Sequence, residues 1–410
     1  MKFSPTDSVR GRLGNFKPPN GPWTQTQERK QDKMGNQNLL HRQMEWQWRR
    51  LKIPATVLME LTPRCTLDCK MCYVHLTREQ MGDRRELTTE QWIRIIDEAL
   101  PMGLFRVVLT GGECMLHEGF WEIYKHLRDN GILVSVNTNG LLLTDEAIAR
   151  FRANPPAVIR MTLYGADDDG YERCTGHRAF TQILQNIRKL LDAGIKPVLT
   201  LTVSRYNQDQ MLQILQIARD LHLPVRFTMD LMDAEDETGR SLERYTLTPE
   251  EIALQTGRLY DFYRTPRTEN PPLDFTPKRL PTDPNCRGIS CAAGRSHYLI
   301  HWDGRMAACF GLDTNVYVQE AGYAAGVRAA QELADTVLTP VECRTCELRR
   351  ACLSCVVTRA DPKDPAHCNP AVCRRTELLY RAGLATTAPK EDGLDPDLAS
   401  ETDVAECPPD

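Results

Sequence analysis

Three cysteines near residue 70 form the densest group of metal-binding side chains in the N-terminal half of the chain. Cys65, Cys69 and Cys72 follow the spacing C-x3-C-x2-C within eight residues. Thiolates are soft ligands that suit iron–sulfur clusters and zinc. Three of them in one loop can bind three irons of a cubane cluster and leave the fourth iron open for a small molecule. A zinc site or buried free thiols are the alternatives, but zinc sites usually combine four protein ligands, and no fourth ligand is near in sequence.

A second group of cysteines lies toward the C-terminus. Nine cysteines fall within the 88 residues from 286 to 373, against six in the rest of the chain. Eight of them would fill two four-cysteine clusters or two zinc sites. The full set comprises Cys286, Cys291, Cys309, Cys343, Cys346, Cys352, Cys355, Cys368 and Cys373.

Short polar motifs follow the apolar segments of the N-terminal half. In Thr110-Gly111-Gly112-Glu113, two glycines allow a ligand to approach the backbone closely, and the carboxylate can bind an ammonium group. Further polar turns begin at Asn137, Thr162 and Val203, and Asp230 follows the sixth apolar segment. Each of these turns also suits ordinary turn and helix-cap chemistry. Together they predict a polar rim around the cysteine loop.

The elements that must position these residues alternate between strand and helix patterns. We predict six strands: Val57–Leu61, Arg106–Leu109, Leu133–Asn137, Val158–Leu163, Val198–Val203 and Val225–Met229. Helices are expected between them at about Thr89–Ala99, Gly119–Asn130, Thr144–Ala153, Phe180–Ala193 and Gln208–Leu221, with caps at Thr88 and Thr144 and stops at Gly131 and Gly194. This pattern predicts an α/β fold with a parallel sheet, closed as a barrel or an incomplete barrel. Such barrels carry their chemistry after the C-terminal ends of the strands, where the cysteine loop is expected.

Composition divides the chain into five segments. Residues 1–52 are polar, with a helix expected at about Asn38–Leu51, and residues 53–235 form the predicted barrel. Residues 236–285 combine a helix near Pro249–Tyr263 with a Pro-rich linker. Residues 286–385 hold the second cysteine group and a hairpin with strands Tyr298–Trp302 and Arg305–Ala308. Residues 386–410 form an acidic tail that is expected to be disordered.

Overall composition excludes several classes of protein. The 410 residues are 41% hydrophobic, which is ordinary for a soluble protein with a real core, and the net charge of −4 gives no bulk attraction to nucleic acid. No apolar run reaches the length of a membrane span, and no signal peptide is evident. Fifteen cysteines, an odd number, in a chain without export signals indicate metal ligation in a reducing compartment, the cytoplasm.

The N-terminal motifs resemble those of the radical S-adenosylmethionine (radical SAM) superfamily. The matching features are Cys65, Cys69 and Cys72 after the first strand and the Gly-Gly-Glu loop after the second, and the resemblance covers about residues 53–229. It implies a partial (β/α)6 barrel and a [4Fe–4S] cluster whose open iron binds S-adenosylmethionine. The contacts implied for that molecule are Gly111, Gly112 and Glu113 with its ammonium group, Thr162 near its carboxylate or ribose, and the backbone at Tyr73 with its adenine. One departure is Met71, where the family usually has an aromatic residue.

The C-terminal region resembles the SPASM extension of that superfamily. Cys291-x12-Gly304-x4-Cys309 and Cys343-x2-Cys346-x5-Cys352 fit its pattern, whereas Cys355 follows after two residues instead of three. The resemblance implies two auxiliary [4Fe–4S] clusters, hence three clusters in all. The first auxiliary cluster would use Cys286, Cys291, Cys309 and Cys355. The second would use Cys343, Cys346 and Cys352 with Cys368, which we favour over Cys373 because Asp364-Pro365 resembles the family's run before its last ligand.

Enzymes with this arrangement mostly modify peptides or proteins by radical oxidation. We therefore expect a peptide maturase that forms a thioether or carbon–carbon cross-link, supplied with electrons by a flavodoxin or ferredoxin, with no nucleic-acid or membrane partner. A sulfatase-type formylglycine-generating enzyme is an alternative, but such relatives carry an Asp where this chain has Phe310. A small-molecule substrate also stays open. A non-catalytic electron carrier would not need the Gly-Gly-Glu loop. As the substrate base, Asp230 and Asp313 are candidates by position only, and the pair His297 and His301 is given no role.

Overall fold

Nine strands form one continuous sheet in the computed structural model, which describes residues 43–231, 241–263, 288–289, 291–349, 351–352 and 354–385. The strands are β1 (Thr56–Glu60), β2 (Arg106–Thr110), β3 (Leu133–Thr138), β4 (Val158–Thr162), β5 (Val198–Thr202), β6 (Val225–Thr228), β7 (His297–Ile300), β8 (Arg305–Cys309) and β9 (Leu312–Tyr317). The predicted linker from residue 264 to 285, the acidic tail and most of the N-terminal segment lie outside the described residues, as do Cys286 and Cys407.

Helices follow most of the strands, as the periodicity predicts. They are α1 (Arg78–Met81), α2 (Thr89–Ala99), α3 (Phe120–Asp129), α4 (Asp145–Ala153), α5 (Asp168–Thr175), α6 (Phe180–Asp192), α7 (Met211–Asp220), α8 (Pro249–Tyr263), α9 (Val318–Ala321), α10 (Tyr323–Thr336), α11 (Val356–Arg359) and α12 (Pro370–Arg381). Single 3-10 turns cover Leu100–Met102, Cys114–Leu116, Leu242–Arg244 and Glu342–Arg344. Residues 43–50 are also helical, within the predicted N-terminal helix.

Local sequence explains where these helices begin and end. The hydroxyl of Thr88 accepts a hydrogen bond from the Gln91 backbone N–H, and Thr144 does the same for Ala147, which satisfies donors that have no partner inside the helix. Gly131 and Gly194 have φ angles of 76° and 78°, a conformation that favours glycine after a helix. The predicted caps and stops are therefore confirmed.

The sheet order is β6-β5-β4-β3-β2-β1-β7-β8-β9, and β1 to β6 pair in parallel in chain order. Together with the helices between these strands, this is the predicted α/β partial barrel. The apolar side chains of one sheet face, such as Val57, Leu109 and Met161, are fully buried in the main core with those of α2, α3 and α6. Because all six strands run the same way, the loops that follow them lie at one end of the sheet.

The strand β7 pairs in parallel with β1, from His297 opposite Thr56 to Ile300 opposite Met59. The region predicted as a separate cysteine-rich segment thus shares the barrel's sheet. The hairpin of β7 and β8 is confirmed, while the third strand β9 and the helix α10, which covers β8 and β9, were not predicted. By compactness the chain divides into residues 1–47 and 48–410; the finer five-segment division stays a prediction. Among the described residues, no helix is long and apolar enough to cross a membrane.

Candidate functional site

The cysteine loop begins directly after β1, at the end of the sheet where the polar motifs also lie. Its backbone is held by the C-terminal end of helix α5. The N–H of Asp68 donates to the carbonyl of Thr175 at 2.9 Å, and the N–H of Lys70 donates to the carbonyl of Cys174 at 2.8 Å. Within the loop, the N–H of Cys72 donates to the carbonyl of Cys69 at 3.0 Å. The loop is therefore fixed by main-chain hydrogen bonds on both sides of Cys69.

Hydrogen-bond donors are directed at each of the three sulfur atoms. Cys65 Sγ accepts from the Leu67 N–H and the Asn139 side-chain amide, both at 3.5 Å. Cys72 Sγ accepts from the His75 N–H at 3.2 Å, and the Tyr164 hydroxyl donates to Cys69. Donors around sulfur stabilise thiolate ligands and tune iron–sulfur clusters. The surroundings of this loop therefore fit a cluster-binding set of thiols.

Burial favours the protonated thiols of Cys65 and Cys69 in the metal-free protein. It raises the pKa of Cys65 to about 11, and the negative charges of Cys72 and Glu113 raise it further. Burial likewise raises the pKa of Cys69, with Cys72 and Cys65 adding to the effect. A bound metal deprotonates a coordinating thiol outright, so metal binding here would release protons. In the part of the chain that the structure describes, no three Cys, His, Asp or Glu side chains converge tightly enough to hold a single metal ion.

The Gly-Gly-Glu loop after β2 lies against the cysteine loop. The N–H of Gly112 donates to the Thr62 carbonyl at 2.7 Å, and the N–H of Glu113 donates to the Arg64 carbonyl at 2.8 Å. A Cβ at Gly111, whose φ is 137°, would lie 2.5 Å from the Thr62 carbonyl oxygen. Both glycines are thus needed for the contact between the two loops, a reason that the sequence motif alone did not reveal.

Glu113 is fully buried and joins the Gly-Gly-Glu loop to the end of β3. Its Oε2 accepts hydrogen bonds from the Thr138 hydroxyl at 2.9 Å and from the Asn139 N–H at 2.8 Å. Its Oε1 accepts from the Met115 N–H at 3.2 Å. Burial raises the pKa of Glu113, and these hydrogen bonds oppose that rise. Since Asn139 in turn donates to Cys65, the carboxylate orients a donor to one of the three thiols.

The other predicted contacts lie on the same end of the sheet. Thr162 is the last residue of β4, and its carbonyl accepts a hydrogen bond from the Tyr171 hydroxyl at 3.1 Å. Tyr73 follows Cys72, and its ring packs edge-on against Phe310. The roles of Gly111, Gly112, Glu113, Thr162 and Tyr73 as contacts of a small molecule stay predictions. Asn139 and Tyr164, which donate to cysteine sulfur, were not singled out from the sequence.

Three cysteines of the second group lie near one another at the end of β8. Cys309 is the last residue of β8. Burial raises the pKa of its thiol, and the nearby charges of Cys355 and Cys291 raise it further. These are three of the four ligands predicted for the first auxiliary cluster. The fourth, Cys286, lies outside the described residues.

The remaining five cysteines form a separate group. Cys343 lies near Cys346, Cys352 and Cys368, and the thiol of Cys373 donates to Cys368 Sγ at 3.3 Å. Burial alone would raise the pKa of Cys352, but hydrogen bonds from Thr376 and the Ser354 N–H lower it. Both Cys368 and Cys373 are thus close enough to the other thiols of this group to act as its fourth ligand.

The two proposed bases have different partners. Asp230, after β6, forms an ion pair with Arg375, which also bonds Ser354. Asp313, in β9, accepts a hydrogen bond from His301 Nε2 at 2.9 Å. Neither contact tests a catalytic role, and both stay predictions.

An ionic triad connects β1 with the hairpin. His301 Nδ1 donates to Glu60 Oε2 at 2.8 Å while its Nε2 donates to Asp313. Glu60 is 1% exposed, and its Oε1 has no partner among the described residues. Burial would lower the pKa of His301, but the two carboxylates raise it to about 10, so the imidazole is charged at neutral pH. The sequence offered no signal for this triad, because it depends on the pairing of β7 with β1.

Comparison with known proteins agrees with the fold and the motifs. Residues 59–218 match the family model of the radical SAM superfamily. The mycofactocin maturase MftC of Mycolicibacterium smegmatis is 30% identical over 181 residues, 44% of this chain and 45% of that protein. A PqqA peptide cyclase of Bradyrhizobium diazoefficiens is 27% identical over 170 residues, 41% of this chain and 44% of that protein. The chain therefore spans less than half the length of these curated relatives.

Solved structures extend the similarity to most of the chain. Streptococcus suis SuiB aligns with a TM-score of 0.58 at 15% identity, covering 78% of this chain and 77% of that chain. The structure of anSMEcpe with bound AdoMet aligns with a TM-score of 0.57 at 15% identity, covering 81% of this chain and 98% of that chain. At this level of identity the similarity establishes a shared fold.

Proposed function

We propose, on the premise that residues 59–218 form a radical SAM domain, that this chain is an enzyme that cleaves S-adenosylmethionine and oxidatively modifies a side chain of a peptide or protein. The product would be a cross-link, such as a thioether or carbon–carbon bond, in a ribosomally made peptide. One observation carries the proposal: the loop of Cys65, Cys69 and Cys72 and the Gly-Gly-Glu loop lie in hydrogen-bonded contact at the C-terminal ends of the parallel strands β1 and β2.

In this proposal Cys65, Cys69 and Cys72 hold a [4Fe–4S] cluster with one open iron. When bound and reduced, that cluster supplies the electron that splits S-adenosylmethionine into methionine and a 5′-deoxyadenosyl radical, which takes a hydrogen atom from the substrate. The protein's part is to hold three thiolates in one loop and to direct donors at them. Asn139 and Tyr164 would donate to two of the sulfur atoms, which favours the thiolate form.

The neighbouring loops would hold S-adenosylmethionine. The backbone of Gly111 and Gly112, with the Glu113 carboxylate, would bind its ammonium group. Glu113 would then share its carboxylate between the ammonium group and its present donors at the end of β3. Thr162 would lie near the carboxylate or ribose, and the backbone at Tyr73 near the adenine. These assignments rest on the matching positions in the motifs and on the shared end of the sheet.

The second cysteine group would hold two auxiliary [4Fe–4S] clusters. We assign Cys286, Cys291, Cys309 and Cys355 to the first, and Cys343, Cys346, Cys352 and Cys368 to the second, with Cys373 as the alternative last ligand. The separation of the described thiols into two groups supports this division. Auxiliary clusters would accept the electron that leaves the substrate when a new bond forms. We further propose a flavodoxin or ferredoxin as the external reductant and the cytoplasm as the compartment.

The names of the relatives support a peptide substrate. They are a mycofactocin maturase and a PqqA peptide cyclase, and SuiB has been solved bound to a precursor peptide, SuiA. A sulfatase-type activity gains no support from the site. The residue after Cys309 is Phe310 instead of an acid, and it packs against Tyr73.

Two measurements test the proposal. The protein would be reconstituted with iron and sulfide under anaerobic conditions, reduced, and supplied with S-adenosylmethionine; we expect 5′-deoxyadenosine, and its absence would exclude the radical activity in favour of an electron carrier. Short open reading frames beside the gene would then be expressed with the enzyme. A peptide that loses two hydrogens in an enzyme-dependent manner supports the maturase, whereas turnover of a small molecule alone would contradict it.

A further inference from the structure

The inner face of the partial barrel carries arginines and hydroxyl groups. Residues paired in register lie on the same sheet face, and the register places Arg160 of β4 beside Asn137 of β3, and Arg226 of β6 beside Thr200 of β5. The alternate residues of β4, Ile159 and Met161, are buried in the core that the helices cover. Arg160, flanked by these buried neighbours, is only partly buried. Its side chain therefore belongs to the opposite face, inside the barrel.

Arg160 and Arg226 have no ion-pair partner among the described residues. Neither side chain forms a hydrogen bond with a described residue either. Burial lowers the pKa of Arg160, and the positive charges of Arg226 and Arg106 lower it further, which places the three guanidinium groups within electrostatic range. Arginine nevertheless stays charged. Arg160 is partly buried and Arg226 is exposed. Like charges within electrostatic range repel each other, so an anion bound between them would stabilise the arrangement.

The same face offers neutral polar partners next to the arginines. Thr162, Thr200, Thr202 and Thr228 are all partly exposed there, and their register pairs keep them on one face. The side-chain carbonyl of Asn137, opposite Arg160, is buried without a partner among the described residues. A ligand with both an anionic group and N–H donors, such as a peptide, would satisfy both features.

The position of Arg160 connects this face with the proposed chemistry. Arg160 precedes Thr162 by two residues on the same face, which corresponds to about 7 Å along a strand. A substrate group bound at Arg160 would thus lie deeper in the barrel than the S-adenosylmethionine site. The remainder of that substrate would extend toward the end of the sheet where the radical is generated.

We propose that Arg160 and Arg226 form a carboxylate-binding site inside the barrel, which holds an acidic side chain or the C-terminal carboxylate of the substrate peptide. A guanidinium group binds a carboxylate through two parallel hydrogen bonds. That the bound peptide is the substrate rests on the proposed function, whereas binding of the peptide requires no radical chemistry. The site therefore selects acidic peptides over neutral ones.

Ligand-observed NMR titration of the full-length, cluster-loaded protein tests the site. The probe is acetyl-Gly-Glu-Gly-amide, and its matched control is acetyl-Gly-Gln-Gly-amide; acetyl-Gly-Gly-Gly with a free carboxylate and inorganic phosphate form two further arms. We expect at least one carboxylate probe to bind about tenfold or more tightly than the glutamine peptide, because a hydrogen bond to a charged group contributes about 1.5 kcal/mol or more. Arg160→Gln and Arg226→Gln should each remove most of this preference.

Two controls keep the result interpretable. Arg188 is exposed on α6, so Arg188→Gln should leave binding unchanged, and Arg160→Lys should retain part of the preference because it keeps the charge. Thermal unfolding of every variant checks the fold. Equal binding of acidic and neutral peptides, loss of binding in Arg188→Gln as well, or binding of phosphate alone would overturn the proposal. Release of 5′-deoxyadenosine is measured in the same samples, so failure of the radical activity is seen separately from failure of this site.

Discussion

The ring of Tyr73 meets the ring of Phe310 edge-on, with their centroids 5.2 Å apart and their planes at 79°. Tyr73 directly follows Cys72, and Phe310 directly follows Cys309. The aromatic pair therefore joins two loops whose thiols we propose as ligands of different clusters. Edge-to-face packing is a favourable geometry for aromatic rings. This contact, together with the pairing of β1 and β7, sets the spacing between the two loops.

Removal of the Phe310 ring should weaken the attachment of these loops. We expect Phe310→Ala to lower the unfolding midpoint of the cluster-loaded protein by an amount equivalent to about 1 kcal/mol, because it removes the aromatic contact and the apolar area that this contact covers. The effect is limited because Phe310 is itself 38% exposed. Phe310→Leu should recover part of the loss. Phe227 provides the control, because it is exposed to a similar extent but has no aromatic contact among the described residues. Phe227→Ala should therefore change stability by no more than about 0.5 kcal/mol. Equal effects of Phe310→Ala and Phe227→Ala would show that the contact contributes nothing.

The two cysteine groups should respond differently to substitution. Replacement of Cys65, Cys69 and Cys72 by Ala should abolish 5′-deoxyadenosine formation and lower the iron content from about twelve to about eight per chain, since one four-iron cluster is lost. Cys346→Ala should also lower the iron content but retain S-adenosylmethionine cleavage. Chromatography of 5′-deoxyadenosine and iron analysis check both outcomes.

Cys407, which has no assigned role, provides the matched control for these substitutions. Cys407→Ala should retain full iron content and cleavage. Cleavage that persists in the triple variant would contradict the assignment of the radical site.

Much of the barrel could be predicted because each strand and helix carries its own local signal. The bounds predicted for Thr89–Ala99 and Pro249–Tyr263 agree with the structure, and the strands agree to within one or two residues. The pairing of β7 with β1 could not be predicted, because it joins residues about 240 positions apart and leaves no periodic trace in the sequence. The strand β9 was missed because Leu312–Tyr317 alternates poorly between apolar and polar residues.

The site was predictable to the same extent. Cysteine spacing and the Gly-Gly-Glu motif are local and indicated which loops meet. The donors to sulfur, Asn139 and Tyr164, lie in the loops after β3 and β4, and common residues of this kind carry no signal of their own. The contact between Glu60 and His301 could not be predicted either, because only the fold brings Glu60 Oε2 within 2.8 Å of His301 Nδ1.

The choice between Cys368 and Cys373 can be made by substitution. Their sulfur atoms are 3.3 Å apart, so either can reach the other thiols of the second auxiliary site. We expect Cys368→Ala to reduce the iron content from about twelve to about eight per chain, and Cys373→Ala to leave it near twelve. The reverse outcome in iron analysis would assign Cys373 as the ligand. Unchanged iron in both single variants, with loss in the double variant, would show that the two cysteines substitute for each other.

The triad of Glu60, His301 and Asp313 should make stability depend on pH in the alkaline range. The carboxylates raise the pKa of His301 from its usual value near 6.5 to about 10, against the effect of burial. A raised pKa in the folded state means that the charged imidazole stabilises the fold fully below about pH 6.5, and that this contribution is lost as the pH rises through about 10. At about 1.4 kcal/mol per pKa unit, the contribution amounts to several kcal/mol. Three further titratable groups interact with the triad. Arg305 lies 3.6 Å from Asp313, Asp313 also influences the thiol of Cys309, and Glu60 influences the hydroxyl of Tyr73.

Comparison of wild-type protein with His301→Gln isolates this contribution. The unfolding midpoint of the wild type should exceed that of His301→Gln most clearly near pH 6, and the difference should shrink steadily between about pH 6.5 and pH 10, because only the wild type loses a charged imidazole. His177, which is exposed on the described surface, supplies the matched control: His177→Gln should follow the wild type at every pH. A difference between wild type and His301→Gln that stays constant from pH 6 to pH 10 would show that packing, and not the charge of His301, accounts for its effect.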